Sequence, residues 1–303
     1  MDAATELFSD VNGNEVVYPN LQYLELLIHF GNQPDIVAAV STSTPFPALR
    51  TLKLDGTYPF DDDVLFRGNS TTLESLSLRL DDKLIDILSR ERVFKNKLKV
   101  LRNLTIYKLS INNGAPVDSQ VNIGNFLNDT MSTVKRLTVS DPKAVTACIE
   151  AAEQGSGFQN IEAFRVNYHG LTIFEILRVL KAFPALITLE SSISVLGPEL
   201  KNISAMNLPD YIASTYCNAG KNLQVWRMTF FAKSDDAQFI DCLLLLALAS
   251  PQLRRLEFLS RTVTDYQGRV AEALKSETYS KYAAQLGRLA NAAYKLHDHG
   301  PYM

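Results

Sequence analysis

The feature that most restricts what this chain can fold into is a spacing. The pattern L-x-x-L-x-L, read with apolar residues at the L places, recurs nine times, beginning at Leu21, Leu49, Leu73, Leu101, Val134, Ile161, Leu186, Leu223 and Leu253. Successive starts lie 28, 24, 28, 33, 27, 25, 37 and 30 residues apart, a mean of 29. Of the 27 L places 26 are apolar, Ser191 being the exception, in a chain that is 46% hydrophobic overall. Self-similarity at such a period identifies an array of like units that stack on one another.

The spacing has a direct physical reading. In the second half of each motif alternate residues point to opposite faces of a strand, so Leu52 and Leu54 go inward while Thr51, Lys53 and Asp55 face out. One strand of this kind cannot bury its apolar side alone. Laying it parallel to the strand of the next unit buries that side, and the intervening segment must travel back across the body, which a helix does economically. Four motifs carry a proline two residues ahead of the first apolar place (Pro19, Pro47, Pro184, Pro251), three of them preceded by Tyr18, Phe46 or Phe183. Proline disfavours helix at the residue before it and lacks an amide hydrogen, so it ends the returning helix.

The intervening segments read as helices. Asp81 and Asp82 precede Leu84, Ile85, Ile87, Leu88 and Phe94, and Asp141 with Pro142 makes a capped start to Ala144 through Ala152. Residues 171–182, 235–249 and 269–296 continue the pattern, with the apolar run from Phe239 to Ala249 too short to span a bilayer and read as a buried helix. The run from Val270 to Leu296 is long and amphipathic enough to close the last unit. The predicted class is α/β: a right-handed horseshoe solenoid with a concave parallel sheet of about nine strands and helices on the convex side. The chain divides into a lead-in or partial cap over 1–17, irregular repeats over 18–260, and a C-terminal capping helix and tail over 261–303.

These motifs resemble the leucine-rich repeat superfamily. The Tyr/Phe-Pro-x-Leu starts and long, uneven helices look most like the repeat halves of fungal F-box proteins. The resemblance implies a substrate-recognition subunit of a ubiquitin ligase. Two departures bear on it. The place three residues after each motif holds His29, Thr57, Asp81, Leu109, Pro142, His169, Ser194, Phe231 and Arg261, so no asparagine or cysteine ladder exists. Only 17 residues precede the first repeat, fewer than the roughly forty of an F-box.

Outward strand positions are the natural recognition surface of such an array. The middle outward place reads Glu25, Lys53, Ser77, Thr105, Thr138, Arg165, Glu190, Arg227 and Glu257, and its last four members alternate in sign. Strands spaced about 4.8 Å apart would turn these four into a cross-strand ladder of opposite charges, either satisfied among themselves or offered to a protein partner. The partner-binding set on this concave face comprises Arg79, Tyr107, Arg136, Arg165, Asn167, Glu190, Arg227, Arg255 and Glu257. Tyr23, Leu27 and Val225 also face outward.

Other features point away from catalysis. No phosphate loop, dinucleotide fingerprint, zinc-spaced cysteines or nucleophile elbow occurs, and no cofactor or metal is expected. His297-Asp298-His299 sits in a polar tail, Gly155-Ser156-Gly157 makes a turn, and Asp61-Asp62-Asp63 caps a short helix ahead of Val64, Leu65 and Phe66. Residues 90–108 hold seven basic side chains, yet the formal charge is −3, which argues against a nucleic-acid binder. The three cysteines, the absence of a basic leader before an apolar stretch and the lack of a membrane span place the chain in the cytoplasm or nucleus. The expected function is a non-catalytic intracellular protein-interaction module. The alternatives are a self-assembling scaffold that pairs through its first strand, and an enzyme with a site in loops between repeats.

Overall fold

In the computed structural model, Leu24, Leu52, Leu76, Leu104 and Leu137 stand side by side on five parallel strands, as the repeat spacing requires. The structure describes residues 14–28, 45–56, 58, 63–66, 71–90, 98–110, 127–128, 132–155, 157–167, 170–193, 211, 214–230, 236–258, 266–291 and 293–294. The chain forms two units, Met1–Phe158 and Gln159–Met303.

The first unit holds β1 (Tyr23–Ile28), β2 (Thr51–Gly56), β3 (Ser75–Asp81), α1 (Asp82–Arg90), β4 (Asn103–Ser110), β5 (Arg136–Val139) and α2 (Pro142–Gln154). Strand neighbours follow chain order and all are parallel. Burial alternates as the motif demands: in β3, Leu76, Leu78 and Leu80 are buried and the residues between them are half-buried. Asp81 ends β3 and caps α1, its Oδ1 accepting from the Leu84 amide at 2.9 Å. Asp141 does more than cap α2. Its Oδ1 accepts from Lys143 N at 2.8 Å and its Oδ2 from Leu109 N at 3.1 Å, which ties the helix start to the preceding repeat. Asp63 is buried and directly precedes a single 3-10 turn over Val64–Phe66, closed by the Phe66 amide donating to the Asp63 backbone carbonyl at 2.8 Å; Asp61 and Asp62 lie outside the described residues.

The second unit holds β6 (Ala163–Val166), α3 (Ile173–Ala182), β7 (Thr188–Ile193), β8 (Val225–Phe230), α4 (Asp236–Ala249), β9 (Arg255–Phe258), α5 (Tyr266–Ala273), α6 (Glu277–Ser280), α7 (Ala283–Ala290) and β10 (Ala293–Tyr294). Phe164, Leu189, Trp226 and Leu256 share one row, continued by Tyr294 on β10. Thr172 and Glu175 form a complete capping box at the start of α3. Helix α4 is apolar nearly all round, and it is correspondingly enclosed, packing on α3, α5 and α7. Its one acidic residue beyond the first turn, Asp241, accepts a 2.7 Å bond from the Tyr279 hydroxyl.

A single rule joins successive repeats in both units. The carbonyl of the second motif residue accepts two amides from the next repeat: Gln22 O takes Arg50 N and Thr51 N, and Ile187 O takes Gln224 N and Val225 N, all at 2.9–3.1 Å. Ahead of several such steps the first motif residue closes a turn, as in Leu49 N to Phe46 O, Leu186 N to Phe183 O and Leu253 N to Ser250 O. The prolines therefore do more than end helices. Pro47, Pro184 and Pro251 occupy the second place of these turns, where a backbone φ fixed near −65° is already correct.

Two expectations change. The C-terminal run is three helices rather than one; the first break falls at Ser276, whose hydroxyl accepts from Tyr279 N at 3.4 Å and starts a new helix where a continuous one was predicted. Beyond those helices Ala293–Tyr294 adds a tenth short strand, parallel to β9. Arg288 of α7 joins this cap to the repeats, donating to the carbonyls of Pro251, Ala247 (2.8 Å) and Ser250 (3.3 Å) at the C-terminal end of α4, where helix carbonyls lack partners of their own. Among the described residues no helix is long and apolar enough to cross a membrane.

Candidate functional site

With alternate strand residues committed to the core, the opposite face of each strand row is left for polar side chains. In the second unit this face carries the alternating charges. The strand register sets Arg165 against Glu190, Glu190 against Arg227, and Arg227 against Glu257. The contacts follow the register. Arg165 Nε lies 2.9 Å from Glu190 Oε1, Arg227 Nη1 3.8 Å from Glu190 Oε2, and Arg227 Nε 2.7 Å from Glu257 Oε2. Arg255 closes the row from the same strand as Glu257, its Nε 2.5 Å from Oε1. Asn167 steadies the other end, accepting from Arg165 Nε at 2.7 Å.

The exposure of these groups is uneven, and that decides what a partner would meet. The side chains of Arg165, Arg227 and Arg255 are 51%, 41% and 43% exposed, whereas Glu190 is 20% and Glu257 0% exposed. The carboxylates lie low and hold the arginines by their Nε edges. Half-exposed pairs of this kind contribute roughly 0.2–1 kcal/mol each, too little to make the ladder a main source of stability.

In the first unit the outward face is organised around Glu25. It accepts from the Tyr23 hydroxyl at 2.6 Å and from Lys53 Nζ. The hydrogen bond from Lys53, followed by that from Tyr23, holds the Glu25 carboxyl below its ordinary range, and the same carboxylate raises Lys53 and Tyr23 above theirs. Lys53 Nζ also lies 5.8 Å from the centre of the Tyr107 ring. Tyr107 reaches this place through an irregularity: Leu78 pairs with Ile106 but Arg79 with Lys108, so Tyr107 is an extra residue in β4. Arg136 stands exposed at the start of β5. Arg79, Tyr107 and Arg136 belong to the first unit and the six other predicted residues to the second.

The sequence reading missed two things here. One is the bulge that brings Lys108 opposite Arg79. The other is a second line of charge at the strand starts, where Arg50 Nη1 meets Glu74 Oε1 at 2.6 Å; acidic and basic residues at the second motif place were its available signal. Among the described residues no three His, Cys, Asp or Glu side chains gather as a metal site, and all four histidines lie outside those residues.

Neither a protein-family model nor a curated protein matches the chain. Among solved structures, a leucine-rich repeat-containing protein, LegL7 from Legionella pneumophila, aligns over 80% of this chain and 74% of its own, at 14% identity and a TM-score of 0.46. The repeat assignment rests on the strand register and the bonds between repeats described above.

Proposed function

We propose that the chain is a non-catalytic protein-interaction module whose partner docks on the outward face of the strands. The observation that carries this reading is the arginine row Arg165, Arg227 and Arg255. Its members stand half-exposed on a rigid ladder, held in register by Glu190 and Glu257 beneath them. Arginine presented on a fixed framework, with little left to order on binding, is a common anchor of protein interfaces. Arg79, Tyr107 and Arg136 extend the same kind of surface in the first unit.

A finer form of the reading makes the chain a substrate-recognition subunit of an F-box-type ubiquitin ligase. Its support is the resemblance of the Tyr/Phe-Pro-x-Leu starts alone. Affinity capture followed by mass spectrometry tests both levels. Wild type is expected to retain discrete partners that Arg165→Glu with Arg227→Glu releases, and a ligase adaptor among them would support the finer form. Equal capture by the charge-reversed protein would remove the strand face from consideration.

A further inference from the structure

Resting on the reading that this face binds protein, we infer that the arginine row of the second unit takes an acidic peptide segment carrying several carboxylates. The argument starts from the direction of the donors. Arg165 and Arg255 meet their carboxylates through Nε, and their outer Nη groups have no partner among the described residues. A guanidinium held by one edge presents the rest of its fork to solvent, the geometry that pairs with a second carboxylate. The anions of the row offer no competing surface, since Glu257 is fully covered and Glu190 largely so.

The neighbouring positions leave the row accessible. Thr188 and Val225 pair in register on one side of Glu190 and Arg227, and Ser192 lies on the other. None is long enough to reach over a guanidinium. On the described strand positions the row is open, and its three cations stand half-exposed.

The three cations sit close together, Arg165 and Arg227 both on Glu190 and Arg227 and Arg255 both on Glu257, so a segment with several carboxylates within a few residues meets more than one of them. A nucleic-acid backbone fits less well, because the chain carries a net charge of −3 and the row holds only three cations interleaved with two anions.

The test is fluorescence anisotropy with the full chain and a labelled (Glu-Pro-Pro)4 peptide. (Gln-Pro-Pro)4 and a twelve-nucleotide oligothymidylate serve as competitors. Wild type is expected to bind the acidic peptide, and Arg165→Ala and Arg255→Ala each to bind it about tenfold more weakly, the loss of one charge-assisted pair. The glutamine peptide is expected not to compete. Both substitutions leave Glu190 or Glu257 still held by Arg227, so unchanged melting is expected to show that the fold is intact. Equal binding by the variants, or no binding by wild type, overturns the inference, as does tighter binding of the oligonucleotide than of the peptide. If the peptide fails while Arg165→Glu with Arg227→Glu still releases the captured partner, the ligand chemistry is wrong and the docking face stands. If capture is insensitive as well, both fail.

Discussion

The indole Nε1 of Trp226 donates a hydrogen bond to Ser191 Oγ at 3.2 Å, with both side chains buried. Ser191 is the one polar residue among the apolar places of the nine motifs, and Trp226 is the only tryptophan of the chain. The two sit on adjacent strands, Ser191 opposite Met228 and thus two residues along from the place that faces Trp226. A buried indole N–H needs an acceptor, and at this point the repeat supplies one where it would otherwise supply a leucine.

Ser191→Ala is expected to lower stability by about 1–3 kcal/mol, because the donor is left buried without its partner. Urea unfolding followed by the emission of Trp226 measures it directly. A change within a few tenths of a kcal/mol would mean that this bond contributes nothing to the fold.

The three cysteines should separate cleanly in a thiol titration. Cys148 and Cys242 are buried, and loss of hydration pushes both thiols up to about 12, with Asp241 adding to the effect at Cys242. Cys217 is exposed. At about pH 8 the two buried groups are thiolate to only about one part in ten thousand, and the thiolate is the reactive form. Ellman's reagent is expected to label one thiol rapidly in the native protein and three after denaturation. Fast labelling of all three would show that the helices carrying Cys148 and Cys242 open readily.

How far the sequence carries this structure can be judged from single residues. Leu52, Leu76, Leu104 and Leu137 are neighbours because a period of about 29 residues and a strand alternation of two are visible in one dimension. The pairing of Arg165, Glu190, Arg227 and Glu257 followed from the same register. The bulge at Tyr107 was hidden because it falls just past Ile106, the last constrained residue of its motif, where polar residues carry no periodic signal. The complete burial of Glu257 was also hidden. A strand pattern says which face a residue occupies and nothing about what covers that face. Ser191 looked like a flaw in the pattern, since its reason lies one strand away.

Glycines 155 and 157, read from the sequence only as a turn, have a more specific reason to be glycine. A Cβ on Gly157 would lie 2.2 Å from the backbone oxygen of Asn128, and one on Gly155 2.4 Å from its side-chain Oδ1. The first clash is with backbone, so Gly157→Ala is expected to cost about 2–3 kcal/mol. The second can be relieved by swinging the Asn128 side chain, at the loss of its 3.2 Å bond to Ala151 O, about 1 kcal/mol. Adding Asn128→Ala should therefore largely relieve Gly155→Ala and leave the cost of Gly157→Ala unchanged. Chemical denaturation of the single and double variants decides it; equal coupling at both glycines would contradict this packing.

The ion ladder should respond asymmetrically to removal of its two signs. Glu257 is the fully buried member, and Arg227 and Arg255, which hold it, are each more than two-fifths exposed. Glu257→Gln releases two guanidiniums that water can solvate, so the expected loss is about 1 kcal/mol or less. Removing both arginines by Arg227→Ala with Arg255→Ala leaves the covered carboxylate without either cation. Glu257 keeps a further contact, so the expected loss is about 2 kcal/mol, still more than that of Glu257→Gln. Adding Glu257→Gln to that double variant should then recover most of the lost stability, because no charge remains to be stranded. Thermal and urea unfolding of the four proteins measures the cycle. If Glu257→Gln proves as damaging as loss of the two arginines, or fails to restore their loss, Glu257 is held by something other than this row.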